Sequence, residues 1–337
     1  MAEADPFGQR VGAPVTAPRD AASNPWHSTH AMAHLPGRVL KSQSGQHWVL
    51  TDTGVVHCTL RGRLKKEKKA RTDLVVIGDR VRVSVQTGQP GEGVIEEVEP
   101  RENRFARRQP GGRGRYKEHV MVANLDWLAL VFACGSPPPN PRLLDRFLVV
   151  AELDRLDAII VANKIDQVSR EAAEAVFAPY AELGYPVCYT SAASGEGVAA
   201  LRERLVGKVS AFVGPSGVGK SSLLNALEPG LGKTIGELSE TLDKGRHTTR
   251  VAELHPLAGG GWVADTPGIR ELASFELPPR ELPACFPEMR PLLGRCRFPD
   301  CVHVHEPGCV VREAVSRGEI RAERYDSYKR ILAADER

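Results

Sequence analysis

The chain has 337 residues, of which 42% are hydrophobic and 26% charged, and a formal net charge of +3. That length allows two or three domains with a sizeable core, and the near balance of charge excludes a polycation that meets nucleic acid along its whole surface. No apolar run approaches the ~18–20 residues of a membrane helix and the N-terminus has no signal-type apolar stretch, so a cytoplasmic protein without a membrane partner is expected.

Residues 1–34 are rich in Ala, Pro and polar residues and read as a disordered tail. Residues 35–103 alternate short apolar runs with turns: "GRVLKS", "HWVLTD", "VVHCTL", "DRVRVSV" and "GVIEEVE" each have strand character. Five short strands predict a small β-barrel of the OB-fold type, although an SH3-like barrel gives a similar pattern. Two basic runs flank this region, "RGRLKKEKKAR" (61–71) and the Gly-rich "RENRFARRQPGGRGRYK" (101–117). Either alone reads as a solvated loop. Together, beside one strand-rich region, they point to an RNA-binding surface.

From about Val120 the period changes, and residues 104–275 are assigned to an α/β domain. "DWLALVF", "DAIIVANKID", "PVCYTSA" and "KVSAFVG" are strands. "PRLLDRFLVVAELDRL" has helical spacing, with Leu144, Phe147, Leu148 and Ala151 on one face. "SREAAEAVFAPYAELG" is a helix opened by a Ser cap and closed by Gly184, and "GVAALRERLVG" is another. Strand–helix alternation predicts a parallel sheet covered on both faces. Residues 276–337 hold a Cys/His cluster and then one charged helix, roughly Val310 to Ala334.

"GPSGVGKS" matches the phosphate-loop pattern at Gly214, Gly219, Lys220 and Ser221, between an apolar strand and the helix "SSLLNAL". Its glycines let backbone N–H groups turn inward around phosphates, and the helix N-terminus adds partial positive charge. The phosphate-facing residues are Gly214, Pro215, Ser216, Gly217, Val218, Gly219, Lys220, Ser221 and Ser222, with Lys220 reaching the β- and γ-phosphates and the Ser221 hydroxyl on Mg²⁺.

The loop alone does not choose between adenine and guanine. "NKID" (Asn163, Lys164, Ile165, Asp166) does. Guanine presents N1–H and N2–H₂ side by side, and the Asp166 carboxylate accepts from both; adenine leaves it unpaired, at ~1–3 kcal/mol or more. Asn163 either bonds the base or ties down the phosphate loop, and the Lys164 stem covers the ring face. In "TSAASGEG", the backbone amides of Ser191 and Ala192 are placed to meet guanine O6. "WVADTPG" ends a strand with Asp265, expected on Mg²⁺ through water, and Gly268, whose N–H senses the γ-phosphate. Between it and the phosphate loop, "LDKGRHTTR" (242–250) sits where a switch loop belongs, with Thr248 or Thr249 completing the Mg²⁺ shell.

All parts of a GTPase are thus present in rotated order: base motif first, phosphate loop later. A sheet of βα units can be opened at one loop and closed at another without moving a strand, so the domain reads as circularly permuted. Gly268 is followed by Ile269 and Arg270, where many GTPases carry a water-orienting Gln. Slow intrinsic hydrolysis and stimulation by a partner follow, and His247 is the candidate to position the water.

Seven cysteines are an odd total, which argues against a disulfide framework. Cys296, Cys301, His303 and Cys309 are spaced to suit a closed, structural Zn²⁺ site, with His305 a rival to His303.

The motifs "NKID", "TSA", "GPSGVGKSSLLN", "GRHTT", "DTPG" and "CRFPDCVHVHEPGC" in this order resemble those of the bacterial small ribosomal subunit biogenesis GTPases, circularly permuted enzymes stimulated by the ribosome. The resemblance covers residues 35 to 330 and implies an N-terminal OB-fold, a permuted GTPase domain and a C-terminal zinc domain. It also implies late maturation of the 30S subunit, with binding near the decoding centre of 16S rRNA; the protein itself is expected to be a monomer. Subunit-stimulated hydrolysis of GTP to GDP would then lead to release, with a hydrolytic role for the switch-loop histidine, here His247. The long N-terminal tail and the Lys-rich insertion at 64–70 are less typical of that family.

Overall fold

The computed structural model describes residues 32–62, 64, 74–86, 91–111, 115–231, 252–265 and 280–335. Five strands, β1 (Met32–Gln43), β2 (Gln46–Thr51), β3 (Gly54–Leu60), β4 (Arg80–Gln86) and β5 (Glu92–Val98), follow the order β1-β2-β3-β5-β4, and β4 returns to pair with β1. The β3–β5 contact is parallel and the others antiparallel, which makes the closed five-stranded barrel expected of an OB-fold. Alternation drives the closure: Val39, Val49, Val56, Cys58, Val81, Val83 and Ile95 all point into one core. Ser44 and Gly45, both at positive φ, make the tight β1–β2 turn. β1 begins at Met32, inside the segment expected to be tail. Most of the Lys-rich run, at 63 and 65–71, lies outside the described residues.

The second basic run is not a loop. Residues Arg104–Gly111 (β6) and Arg115–Ala123 (β7) pair as an antiparallel hairpin. Phe105 and Val122 are fully buried in it, so a few apolar residues at strand spacing override the polar composition.

The central sheet contains β8 (Trp127–Ala133), β9 (Ala158–Asn163), β10 (Val187–Thr190), β11 (Val209–Val213), β12 (Ala252–Pro256) and β13 (Trp262–Asp265), in the order β10-β9-β8-β11-β13-β12. All neighbours are parallel except β12, which runs antiparallel to β13. Helices α1 (Pro141–Leu153) and α2 (Arg170–Glu182) cover one face with Phe147, Leu148, Phe177 and Tyr180. Helices α3 (Val198–Leu205) and α4 (Lys220–Leu227) cover the other with Leu201, Leu205, Leu223, Leu224 and Leu227. The caps explain where α1 and α2 start: Asn140 Oδ1 accepts from the Leu143 amide at 3.1 Å and Ser169 Oγ from that of Ala172 at 3.2 Å.

The barrel and the central sheet are one hydrogen-bonded surface, because β1 pairs antiparallel with β12 at Lys41–Glu253 and Ser42–Ala252. A bulge between Val39 and Lys41 makes this possible. The extra residue, Leu40, leaves the barrel core and packs into the core beneath the central sheet.

The C-terminal region has two helices rather than one, α5 (Val310–Ser316) and α6 (Ala322–Asp335). Gly318, at φ +75°, lies in the break. Helix α6 is pinned to α1 by a buried ionic cluster. Arg324 donates to Asp145 at 2.5 Å and to Glu288 at 2.7 Å, Tyr180 Oη donates to Asp145 at 2.8 Å, and the guanidinium lies over the Phe286 ring at 4.7 Å. Arg324→Ala strands two buried carboxylates. A loss of about 3–5 kcal/mol is expected, read as a lower denaturant midpoint for the C-terminal region; an unchanged midpoint would count against the assigned role of this cluster.

Candidate functional site

The elements that carry the motifs end at one edge. Asn163 closes β9, Thr190 closes β10, Gly214 follows β11 and Asp265 closes β13, and these strands are parallel members of one sheet. Ligands of open α/β sheets bind in the crevice outside such carboxyl ends. The permutation leaves this convergence intact, because it changes connections and not strand neighbours.

The base motif and the phosphate loop are in direct contact. Asn163 is fully buried; its Nδ2 donates to the Val218 carbonyl at 2.9 Å, and its Oδ1 accepts from Thr190 Oγ1 at 3.1 Å. Of the alternatives open for Asn163, the structure takes the second: it ties down the loop. Lys164, at φ +63°, turns back and donates from Nζ to Gly217 O and to Ser136 O, both at 2.6 Å. The turn then places Ile165 in the core and leaves Asp166 exposed, with no hydrogen bond to any described residue. Gly219, at φ +93°, has no room for a side chain: a Cβ there would lie 2.6 Å from Asn163 Nδ2. Gly214 is equally constrained, since a Cβ would lie 2.1 Å from the Val131 carbonyl.

Val218 is buried under the loop, while Pro215, Ser216 and Gly217 form its outer turn. Lys220 and Ser221 open α4 and Ser222 follows them. Lys220 Nζ donates to the carbonyls of Gly214 at 2.7 Å and Pro215 at 2.6 Å.

The second base loop differs from expectation. The Ser191 amide donates to Glu196 O at 2.9 Å, and Ser191 Oγ accepts from the Ser194 amide at 3.1 Å. That amide is engaged in shaping its own turn, so of the two expected to face guanine O6 only that of Ala192 has no partner among the described residues. Sequence reading missed Ser136 and Gln167. Gln167 Oε1 accepts from the Ser136 amide at 2.8 Å, and a Cβ at Gly135 would lie 2.5 Å from the same atom. Gln167 thereby fixes the carbonyl that anchors Lys164. Its place one residue past "NKID" was the only available signal.

His247, Thr248, Thr249 and Gly268 lie outside the described residues. Asp265 is placed by its backbone as the last residue of β13, opposite Glu253 of β12.

A second cluster stands apart from the sheet edge. The ligand atoms of Cys296, Cys301, His303 and Cys309 all lie within 4.8 Å of one another and can hold a metal ion. His303 Nδ1 is 3.4 Å from Cys296 Sγ and 3.5 Å from Cys309 Sγ, and the two sulfurs are 4.0 Å apart. Tetrahedral Zn²⁺ with ordinary bond lengths requires about 3.5 Å for S···N and about 3.8 Å for S···S, so the donor set fits. His305, the rival ligand, is 81% exposed and outside the cluster. The loop is held by Glu306, whose carboxylate accepts from the amides of Val302, Val304 and His305. Burial alone would push that carboxyl up; the amide donors outweigh it and hold the pKa at about 2. Tyr325 and Tyr328 donate to the carbonyls of His303 and Val302, which joins the cluster to α6.

Comparison with known proteins agrees with this geometry. A family model described as RsgA GTPase matches residues 98–275, and one described as RsgA N-terminal domain matches 36–95. A protein of Gemmatimonas aurantiaca named small ribosomal subunit biogenesis GTPase RsgA is 48% identical over 88% of this chain and 95% of its own. One of the same name from Moorella thermoacetica is 42% identical over 89% and 97%. Among solved structures, YjeQ from Thermotoga maritima superposes with a TM-score of 0.70 at 35% identity, covering 90% of this chain and 99% of that one. YloQ, described as a circularly permuted GTPase, gives 0.69 at 30% identity over 92% and 97%. With the base motif preceding the phosphate loop in the chain yet bonded to it in space, the protein is a circularly permuted GTP hydrolase and belongs to the RsgA GTPase family.

Proposed function

We propose that this GTPase assists late maturation of the 30S ribosomal subunit, binding 16S rRNA as a cytoplasmic monomer and hydrolysing GTP to GDP and phosphate when the subunit stimulates it. The names of its relatives support the partner. The nucleotide site rests on one observation: Asn163 and Lys164 hold the carbonyls of Val218 and Gly217, so the base-reading turn and the phosphate loop form one cradle. In this reading residues 35–103 are the RNA-binding barrel, 104–275 the GTPase domain and 276–337 a zinc domain.

Asp166 accepts from guanine N1–H and N2–H₂, and the Ala192 amide faces O6. Lys220 leaves the loop carbonyls for the β- and γ-phosphates, a short exchange of acceptors for an ammonium already within the loop. Ser221, Asp265 and Thr249 would hold Mg²⁺, which neutralises phosphate charge when bound. His247 positions the attacking water, in place of the absent Gln. Cys296, Cys301, His303 and Cys309 hold a structural Zn²⁺.

The test is GTP turnover by the purified protein alone, with 30S subunits and with 50S subunits. A rise confined to 30S is expected. Equal rates in all three reject the proposal, and a rise confined to 50S reassigns the target.

A further inference from the structure

One transverse row of the sheet runs from the barrel to the nucleotide edge. Glu253 of β12 is the direct partner of Lys41 of β1 on one side and of Asp265 of β13 on the other. Lys41 Nζ lies 2.9 Å from Glu253 Oε2 and 5.4 Å from the centroid of Trp48 on β2, a barrel strand. The side chains of Lys41 and Glu253 are 29% and 34% exposed, so water only partly screens the pair. The β1–β12 ladder holds just two residue pairs, and Leu40 beside it is sunk in the core of the central sheet. The barrel is therefore tied to β12 by a short ladder, one ion pair and one buried anchor.

We propose that Lys41 and Glu253 are positioning residues for the subunit-stimulated reaction: they hold β12, and through it the backbone of Asp265, in fixed register with the barrel, so that seating the barrel on RNA is felt at the nucleotide edge. Neither residue touches nucleotide. Both act through the strand that follows the segment carrying His247 and precedes Asp265 in the chain. The inference rests on the stimulated GTPase reading given above.

The test uses full-length protein at saturating 30S subunit, so that any loss of RNA affinity from removing a barrel cation falls in the KM for subunit and not in kcat. Lys41→Glu and Glu253→Lys are each expected to lower stimulated kcat about five-fold, the scale of exchanging an attractive cross-strand pair for a repulsive one. Basal turnover and GTP affinity should stay within about two-fold. The swap Lys41→Glu with Glu253→Lys should recover most of the stimulation, and Glu253→Gln, which keeps the shape, should give a smaller loss. Full stimulation in both single variants, or a swap as poor as either, overturns this inference alone. An unstimulated wild-type protein overturns it together with the function on which it rests.

Discussion

Stripping the metal from Cys296, Cys301, His303 and Cys309 is expected to release the loop they enclose while leaving GTP binding unchanged. Elemental analysis should find one zinc per chain. After chelation, or in Cys301→Ser, protease cleavage should appear between residues 296 and 309. The effect is large because ligand binding and folding of such a loop are the same event, with apparent binding energies of about 10–16 kcal/mol in small zinc peptides. Helix α6 should stay docked, since Phe286, Met289, Tyr328 and Leu332 still pack on Leu282, Val149 and Ile331 in the core that Cys309 shares, and Arg324 holds Asp145 and Glu288. The nucleotide edge is built from other elements, so its affinity is the internal control. A chelated protein that keeps its protease resistance would show that the four side chains do not need an ion.

Asp166→Asn should reverse the base preference from GTP to xanthosine triphosphate. Asp166 is exposed and free of hydrogen bonds to described residues, so the substitution disturbs no packing. Guanine offers two adjacent donors, which suit a carboxylate. An amide in that place faces donor with donor at one of them, and each unmatched group costs ~1–3 kcal/mol. With the charge also gone, the GTP to xanthosine triphosphate affinity ratio should fall by about a hundred-fold or more. Xanthine carries an acceptor where guanine carries its amine, which the amide satisfies. Equilibrium binding of the two nucleotides to wild type and variant reads this directly; an unmoved ratio removes Asp166 from base recognition.

Much of this site was legible in the chain because its motifs are local. A phosphate loop needs glycines at fixed offsets, and Gly214 and Gly219 sit where the structure leaves no space for a Cβ. The helices of the central domain followed from spacing and caps, and the barrel strands from alternation. The hairpin at 104–123 was hidden because basic residues dominate its composition, and the pair of C-terminal helices because charge runs through the break at Gly318.

What the sequence determined by itself is the set of chemical groups: the Asn–Lys–x–Asp turn, the glycine-rich loop and the Cys/His spacing, each fixed by offsets along a few residues. Tertiary structure alone decided how those groups are used. It gave Asn163 to Val218, spent the Ser191 amide on Glu196, chose His303 over His305, buried Arg324 between two carboxylates and aligned Lys41 with Glu253 and Asp265. The reason is physical: a donor or a charge finds its partner across strands and helices far apart in the chain, and no local spacing records which partner the fold brings near.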